Sequence, residues 1–520
     1  MNVQGKVVAD AAALELLAGR LAAGGHTVLC QGHFNVIHPG HLRFLEHARS
    51  LGDRLVVGLI SDATLAITCP GARFFSQAER ASALAAQHDV DQVVILDGLD
   101  LRAVIDALRP AVFVLGKEFE EEFADRVAGE TARVRELGGN IVFHSGQTSY
   151  AADDLPERAA DTQVRERRLA LLAACARQDI DLAGTLAASD AFRDRRLVVL
   201  GDTIVDQYVA CDALGMSAEA PVIALKELRS REYIGAAAIV ACHIRALGAQ
   251  CDFVSVTGDD EPGRLTARTL KERDVDAHLF TDPTRPTTFK IRYMVGNQKM
   301  LRVSRLEETS ISRELERQII GRLQELIPRS HGVVVSDFVY GLITPRVLEA
   351  AQAAARKANV PIFGDLQCSS QVGSVLKFKH FTLISPNERE ARIALGDKDS
   401  GLEKIGNKLL ARTDCAGLLL TLGPHGFVAY DNRGPVVQSE AFPALDPNPV
   451  DVTGAGDALL SAVAVAMASG WPLMRAATLG TCVAALAVGR LGNIPITGPE
   501  VREYGLRQFG PGGLAQLAAS

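Results

Sequence analysis

Two short stretches of the chain carry residues suited to holding migrating phosphorus. The first is Gln31 to His41, QGHFNVIHPGH. Gly32 lets the backbone approach a ligand closely. His38 and His41, three apart at the start of an expected helix, can aim imidazole donors at a phosphate near the positive helix end. Nucleotidyl transfer asks for little more, because an attacking sugar phosphate is already a nucleophile and needs only alignment and charge stabilisation on the triphosphate. The second stretch is Val450 to Leu460, VDVTGAGDALL. Gly454, Ala455 and Gly456 expose amides at a helix start, a trap for the charge on a transferred γ-phosphoryl group. Asp457 follows directly, where its carboxylate can accept the proton of an attacking hydroxyl.

Each stretch has a plainer reading. His33, His38, His41 and His47 fall within fifteen residues and could form a metal site, but no ordered carboxylate or Cys partners accompany them. A Gly-rich turn followed by Asp also serves as a helix cap. Two further features favour chemistry at the second stretch. Asn387 and Glu390 in SPNERE follow an apolar strand as N-x-x-E, a spacing suited to organising magnesium waters around ATP. The turn TLGPHG, with Thr421, Gly423 and Gly426, can sit against the nucleotide.

The elements that must position these residues read as α/β. Strands are expected at His26 to Gly32, Arg54 to Ile60, Gln92 to Leu96, Ala111 to Leu115 and Asn140 to Phe143. Helical patterns at His41 to Ser50, Gln77 to His88 and Asp125 to Leu137 alternate with them, as in a Rossmann-like parallel sheet covered by helices. A second α/β series begins at Leu197 and runs through GVVVSD, PIFGD, FTLIS and GLLLTL. Cys211 to Ile234 and Thr287 to Leu306 alternate apolar and polar residues, which predicts a small antiparallel β-lid. The expected domains are 1–155, a helical linker at 156–194, and 195–520.

Composition sets the outer bounds. A chain of 520 residues calls for two to three folding units. The net charge of −7 gives no general reason to bind nucleic acid, and no apolar run approaches the roughly 20 residues a membrane span needs. Nine scattered cysteines, with no C-x-x-C pair and no secretory signal at the start, point to the cytoplasm rather than a disulfide framework.

Over residues 5 to 150 the sequence resembles the H-x-G-H nucleotidyltransferases, a family that includes cytidylyltransferases and the adenylyltransferase half of ADP-heptose synthases. The resemblance implies that His38 and His41 stabilise the transition state, that Gly32 and Phe34 lie on the nucleotide side, and that Thr148 and Ser149 form a late hydroxyl pair near the phosphates. It assigns Arg80 a structural or phosphate-facing role. Asn35 stands where that family usually has Asp, and Leu115-Gly116-Lys117-Glu118-Phe119 where it has K-G-x-D-Y.

Over residues 195 to 505 the stretches GDTIVDQY, MSAEAPV, IRALGA, VTGDD, SDFVYG, SPNERE and DVTGAGD resemble the ribokinase or PfkB sugar kinases, with the ribokinase-like α/β fold. The resemblance implies Asp457 as base, Gly454 to Gly456 as anion hole, and Asp202, Asp206 and Gly235 as sugar-side contacts, with Asp206 equally readable as a solvated turn residue. ATP with Mg²⁺ is the implied cofactor, CTP an alternative at the N-terminal site, and a homodimer through the lid the implied assembly. Departures cluster on the sugar side: the family's sugar-touching Asn is Ile239 here, and its lysines after the middle strands are Tyr340 and Gln367.

The leading expectation is a bifunctional sugar or sugar-phosphate kinase and sugar-1-phosphate nucleotidyltransferase, in the reverse of the domain order of ADP-heptose synthases. Two alternatives stay open. In one the C-terminal half is a sugar- or nucleotide-sensing module, and in the other the N-terminal half acts on a non-sugar acceptor.

Overall fold

Strand order decides where each chemical turn opens in the computed structural model, which describes all residues except 1–2, 22–23, 36, 38, 69–74, 98, 121–124, 126, 145–159, 189–191, 217–221, 297, 368–372 and 511–520. Two compact units are present. Met1–Leu155 groups with Leu395–Leu409 and Asn432–Ala441, and the remainder of Pro156–Ser520 forms the second unit.

The first unit contains β1 (Val7–Val8), β2 (Thr27–Gly32), β3 (Arg54–Ile60), β4 (Gln92–Leu96), β5 (Val112–Gly116) and β6 (Asn140–His144). Its sheet is parallel throughout, in the order β1-β4-β3-β2-β5-β6. Side-chain alternation sends Val28 and Cys30 to a core with Phe44, Leu45 and Ala48 of the helix Pro39–Ser50. Leu29, between them, joins a core on the opposite face with Val104 and Ile105 of the helix Leu101–Leu108. A sheet buried on both faces needs such continuous apolar runs. The chain moves to one side of β2 through β3 and β4, then returns to its other side at β5. The carboxyl end of β2 is therefore the switch point where open α/β sheets bind ligands.

The second unit contains β7 (Arg196–Gly201), β8 (Thr203–Met216), β9 (Ile223–Ala236), β10 (Gln250–Thr257), β11 (Asp276–Thr281), β12 (Thr288–Val295) and β13 (Gln298–Arg305). It continues with β14 (Gly332–Asp337), β15 (Ile362–Leu366), β16 (Leu383–Ile384), β17 (Gly417–Thr421) and β18 (Phe427–Asp431). Within this unit the main sheet runs β11-β10-β7-β14-β15-β16-β17-β18, so the chain leaves β7 in one direction and returns at β14 in the other. Asp202 and Asp337 stand at that second switch point.

Three expectations are corrected. The lid is a separate sheet, β13-β12-β8-β9, but β8 begins at Thr203, and β8 pairs parallel with β12. The alternating pattern reports a half-buried strand and carries no information on the direction of its neighbour. The segment read as a linker is helical at Ala160–Arg177 and Leu182–Ala187, yet Leu171, Ala174, Cys175 and Leu186 enter the core of the second unit. Asp206 is 4% exposed on β8, which removes the solvated-turn reading. Among the described residues no helix is long and apolar enough to cross a membrane.

Close approach at the second switch point requires Gly201. A Cβ there would lie 2.1 Å from the Ser336 carbonyl oxygen and 2.5 Å from Ala237 Cβ. Gly201→Ala is expected to cost about 1–3 kcal/mol through overpacking, read in urea denaturation as an earlier transition of the second unit with the first unit's transition unmoved.

Candidate functional site

In the first unit, β2 ends at Gly32 and the helix Pro39–Ser50 begins seven residues later. The turn between them is held under strain. Phe34 has φ +42°, its ring is buried, and a Cβ on Gly32 would meet that ring at 2.8 Å. Gly32 therefore makes room for Phe34, whose ring centroid lies 5.1 Å from that of His41. Asn35 Oδ1 accepts from the Phe75 amide at 2.8 Å, a role open to Asn and Asp alike, which explains how the departure at this position is tolerated.

Arg80 fixes the turn from beneath. Its guanidinium is fully buried and donates to the Phe75 carbonyl at 2.9 Å, the His33 carbonyl at 2.7 Å and Asp62 Oδ1 at 2.7 Å. Of its two expected roles, these bonds fit the structural one. His47 stacks on His144 at 3.8 Å between centroids, and burial lowers the pKa of both rings. His38, Thr148 and Ser149 lie outside the described residues.

In the second unit, Gly454 takes φ +78° as N-cap of the helix Ala455–Ala468, whose residues Asp457 to Ala466 are all buried. The Ala455 amide turns back to the Val452 carbonyl at 3.3 Å, leaving Gly456 and Asp457 as the first-turn amides that a helix cannot satisfy internally. Asp457 is 7% exposed, and its Oδ1 finds no hydrogen-bond partner among the described residues. Burial, reinforced by the like charge of Asp206 and opposed by Lys290, pushes its pKa up to about 7. A carboxylate tuned to that range can take a proton near neutral pH.

Asp206 and Gly235 come together beside it. A Cβ at Gly235 would stand 2.6 Å from Asp206 Oδ2, and Asp206 is ion-paired with Arg292 of β12. Asp202 takes a different part. Its Oδ2 accepts from the amides of Phe338 at 2.9 Å and Tyr340 at 3.4 Å, while Asp337 Oδ1 accepts from the amide of Val339 at 2.7 Å. Val339, β-branched and at φ +62°, is thus held in the left-handed region by two buried carboxylates. Asp202 is in effect a clamp on the SDFVYG turn, and its pKa is raised by burial and by Asp337.

Asn387 and Glu390 exchange bonds as a reciprocal cap, the Asn387 amide donating to Glu390 Oε2 and the Glu390 amide to Asn387 Oδ1, each at 2.9 Å. Asn387 also bridges to Thr421 of β17. Gly426 is required by contact, since a Cβ there would meet the Phe442 carbonyl at 2.0 Å, whereas a Cβ on Gly423 would enter open space. Glu390 remains buried near Asp365 at the end of β15, whose pKa rises through burial and the charges of Asp457 and Glu390. Hard oxygen donors in mutual repulsion suit Mg²⁺, with Asp365 and Glu390 as the residues to hold it. Among the described residues no three His, Cys, Asp or Glu side chains converge as a cage, so phosphate and water oxygens would complete the shell.

Residues not singled out individually from the sequence complete the site. Asp451 ties the lid to the anion-binding turn: Tyr208 Oη donates to it at 2.8 Å, Lys299 Nζ reaches it at 3.3 Å and Thr453 Oγ1 at 3.1 Å, and the Thr453 amide donates to it at 3.1 Å. Lys290 is buried with its ammonium 5.3 Å from the centre of the Tyr340 ring, so a cation from the lid enters the cleft where Tyr340 replaces a lysine. Asp337 and Asp365 had a legible signal, a carboxylate closing an apolar strand. Lys290, Lys299 and Asn493 had none.

An α/β sheet with a side lid, a glycine-bearing helix start and a buried carboxylate beside it define a small-molecule phosphotransferase. The chain belongs to the pfkB family of carbohydrate kinases, which residues 194–497 match, and residues 29–167 match the cytidylyltransferase-like family. Among its relatives is the bifunctional protein HldE of Geobacter metallireducens, 33% identical over 313 residues, which are 59% of this chain and 62% of that protein. The bifunctional protein HldE of Campylobacter jejuni is 31% identical over 60% of this chain and 65% of its own length. The matches thus span less than two thirds of these relatives. Phosphofructokinase-2 from Escherichia coli shares the fold, with TM-score 0.50 and 14% identity over 60% of this chain and 98% of its own.

Asp457 must be ionised to accept a proton, so the kinase kcat/KM is expected to fall as pH drops through about 7. Asp457→Asn should lower the kinase rate by about 10²–10⁴-fold. It should also raise the thermal midpoint. A carboxyl whose folded pKa is raised from 3.8 to about 7 stabilises most in acid and loses that contribution as pH rises through 7. The variant's stability gain over wild type should therefore be larger at pH 8 than at pH 4, measured by calorimetry.

Proposed function

We propose that the chain is a bifunctional enzyme that phosphorylates a sugar or sugar phosphate and joins a sugar 1-phosphate to a nucleotide, making an ADP-heptose-like product. The observation that carries the kinase half is the buried Asp457 carboxylate at the glycine-bearing helix start, whose Oδ1 has no hydrogen-bond partner among the described residues. In that step the sugar hydroxyl gives its proton to Asp457 and its oxygen attacks the γ-phosphorus of ATP. The bond to the β-phosphate oxygen breaks, and ADP leaves. The first-turn amides of Gly456 and Asp457 face the charge that develops. Asp365 and Glu390 would hold Mg²⁺ bound with ATP, and the ion would supply charge neutralisation there.

For the nucleotidyltransferase half, the support is that His41 stands in the first turn of the helix Pro39–Ser50, directly after the strained turn at the β2 switch point, and His38 is assigned the partner role by sequence. The sugar phosphate oxygen attacks the α-phosphorus and pyrophosphate departs. ATP is the proposed nucleotide, by analogy with the named relatives, with CTP as the alternative. The cytoplasm is the proposed location. The lid supports a homodimer: Leu214, Met216, Leu228 and Leu301 are more than half exposed on its strands.

The test is incubation of purified protein with ATP or CTP and a panel of hexose and heptose phosphates, with products identified by mass spectrometry. A doubly converted product is expected. His41→Asn should lower nucleotidyl transfer by roughly 10²–10³-fold and leave the kinase product unchanged, because each site is built from its own unit. Nucleotidyl transfer with no phosphorylation of any sugar would instead favour the sensing-module reading of the second unit.

A further inference from the structure

Of the buried side-chain polar atoms without a partner among the described residues, two belong to side chains flanking a single glycine: Asp457 Oδ1 and Asn493 Oδ1. A Cβ at Gly454 would lie 2.6 Å from Asn493 Oδ1 and 3.9 Å from Asp457 Oδ2. The other end of the same carboxamide, Asn493 Nδ2, donates to Asp206 Oδ2 at 3.3 Å and would stand 3.0 Å from a Cβ at Gly235. Facing a carboxylate, that end must be the NH₂, which fixes the oxygen as the end turned to Gly454.

Two buried acceptors on one small surface call for a ligand that brings two donors, because an unpaired buried acceptor costs free energy. We infer that Asn493 is a sugar-binding residue whose Oδ1 accepts from the hydroxyl neighbouring the one that Asp457 deprotonates, so that the second unit selects a vicinal diol. This rests on the reading of Asp457 as the base of a sugar kinase. Ile239, the position from which the resembling family supplies its sugar-touching Asn, is 1% exposed and lies in the apolar core, so it offers a polyol nothing. Asn493 brings the missing carboxamide from the loop between the helices Leu473–Val488 and Gly498–Phe509. Being neutral, it adds no charge to a pocket already holding Asp206 and Asp457.

The experiment compares ATP-dependent phosphorylation of hexose and heptose phosphates with that of the matching deoxy compounds lacking the neighbouring hydroxyl, in wild type and Asn493→Ala. Wild type is expected to lose roughly tenfold to a hundredfold in kcat/KM on the deoxy compound, as one unpaired buried acceptor implies. Asn493→Ala should lose a similar factor on the parent sugar and little more on the deoxy one. A second variant, Asn493→Asp, keeps the size and places a charge beside Asp457, and should move the acidic limb of the pH profile up by about one unit. Equal losses of Asn493→Ala on both sugars, or an unmoved acidic limb in Asn493→Asp, would overturn the inference while leaving the kinase reading intact. Phosphorylation of no sugar by wild type would overturn both.

Discussion

Crowding of carboxylates at the carboxyl ends of parallel strands is the constraint from which the second unit is built. Asp202 directly follows β7, Asp337 ends β14 and Asp365 is the last residue but one of β15, and Asp457 and Glu390 stand at helix starts, all of them buried. Such a group holds together because its members, Asp457 apart, are given donors or a partner. Asp202 and Asp337 take the amides of residues 338 to 340, Asp206 takes Arg292, and Glu390 takes the amide of Asn387. Asp457 is left with an oxygen unsatisfied among the described residues, and the absence of a side chain at Gly454 leaves room between it and Asn493. The proposed base is the member of this group whose oxygen the surrounding network leaves unsatisfied among the described residues.

The first unit reaches a comparable result by backbone strain in place of charge. Phe34 is driven to positive φ, Gly32 yields to its ring, and Arg80 anchors the turn through the His33 and Phe75 carbonyls. The first unit's turn opens at the switch point at the carboxyl end of β2, and in the second unit Asp202 and Asp337 stand at the switch point between β7 and β14. Those positions follow from strand order alone and do not depend on the ligand.

Much of this was legible in the sequence. The bounds of β3 and β4 coincide with the apolar runs at Arg54 to Ile60 and Gln92 to Leu96, because strands buried on both faces write themselves as continuous hydrophobic segments. The glycines at 32, 235, 426 and 454 stand where close approach demands them. Pairing direction in the lid, the clamp role of Asp202 and the entry of Lys290, Lys299 and Asn493 into the cleft were not legible. Each depends on contacts between residues tens to hundreds of positions apart, and no local period or motif encodes such contacts.

Asp451 makes the lid and the anion-binding turn one hydrogen-bonded unit. Tyr208 of β8 and Lys299 of β13 both reach its carboxylate, Lys299 also reaches Thr453, and the Thr453 amide donates to the same group. A substitution on those lid strands can therefore be felt at the turn without touching it, since one carboxylate holds both.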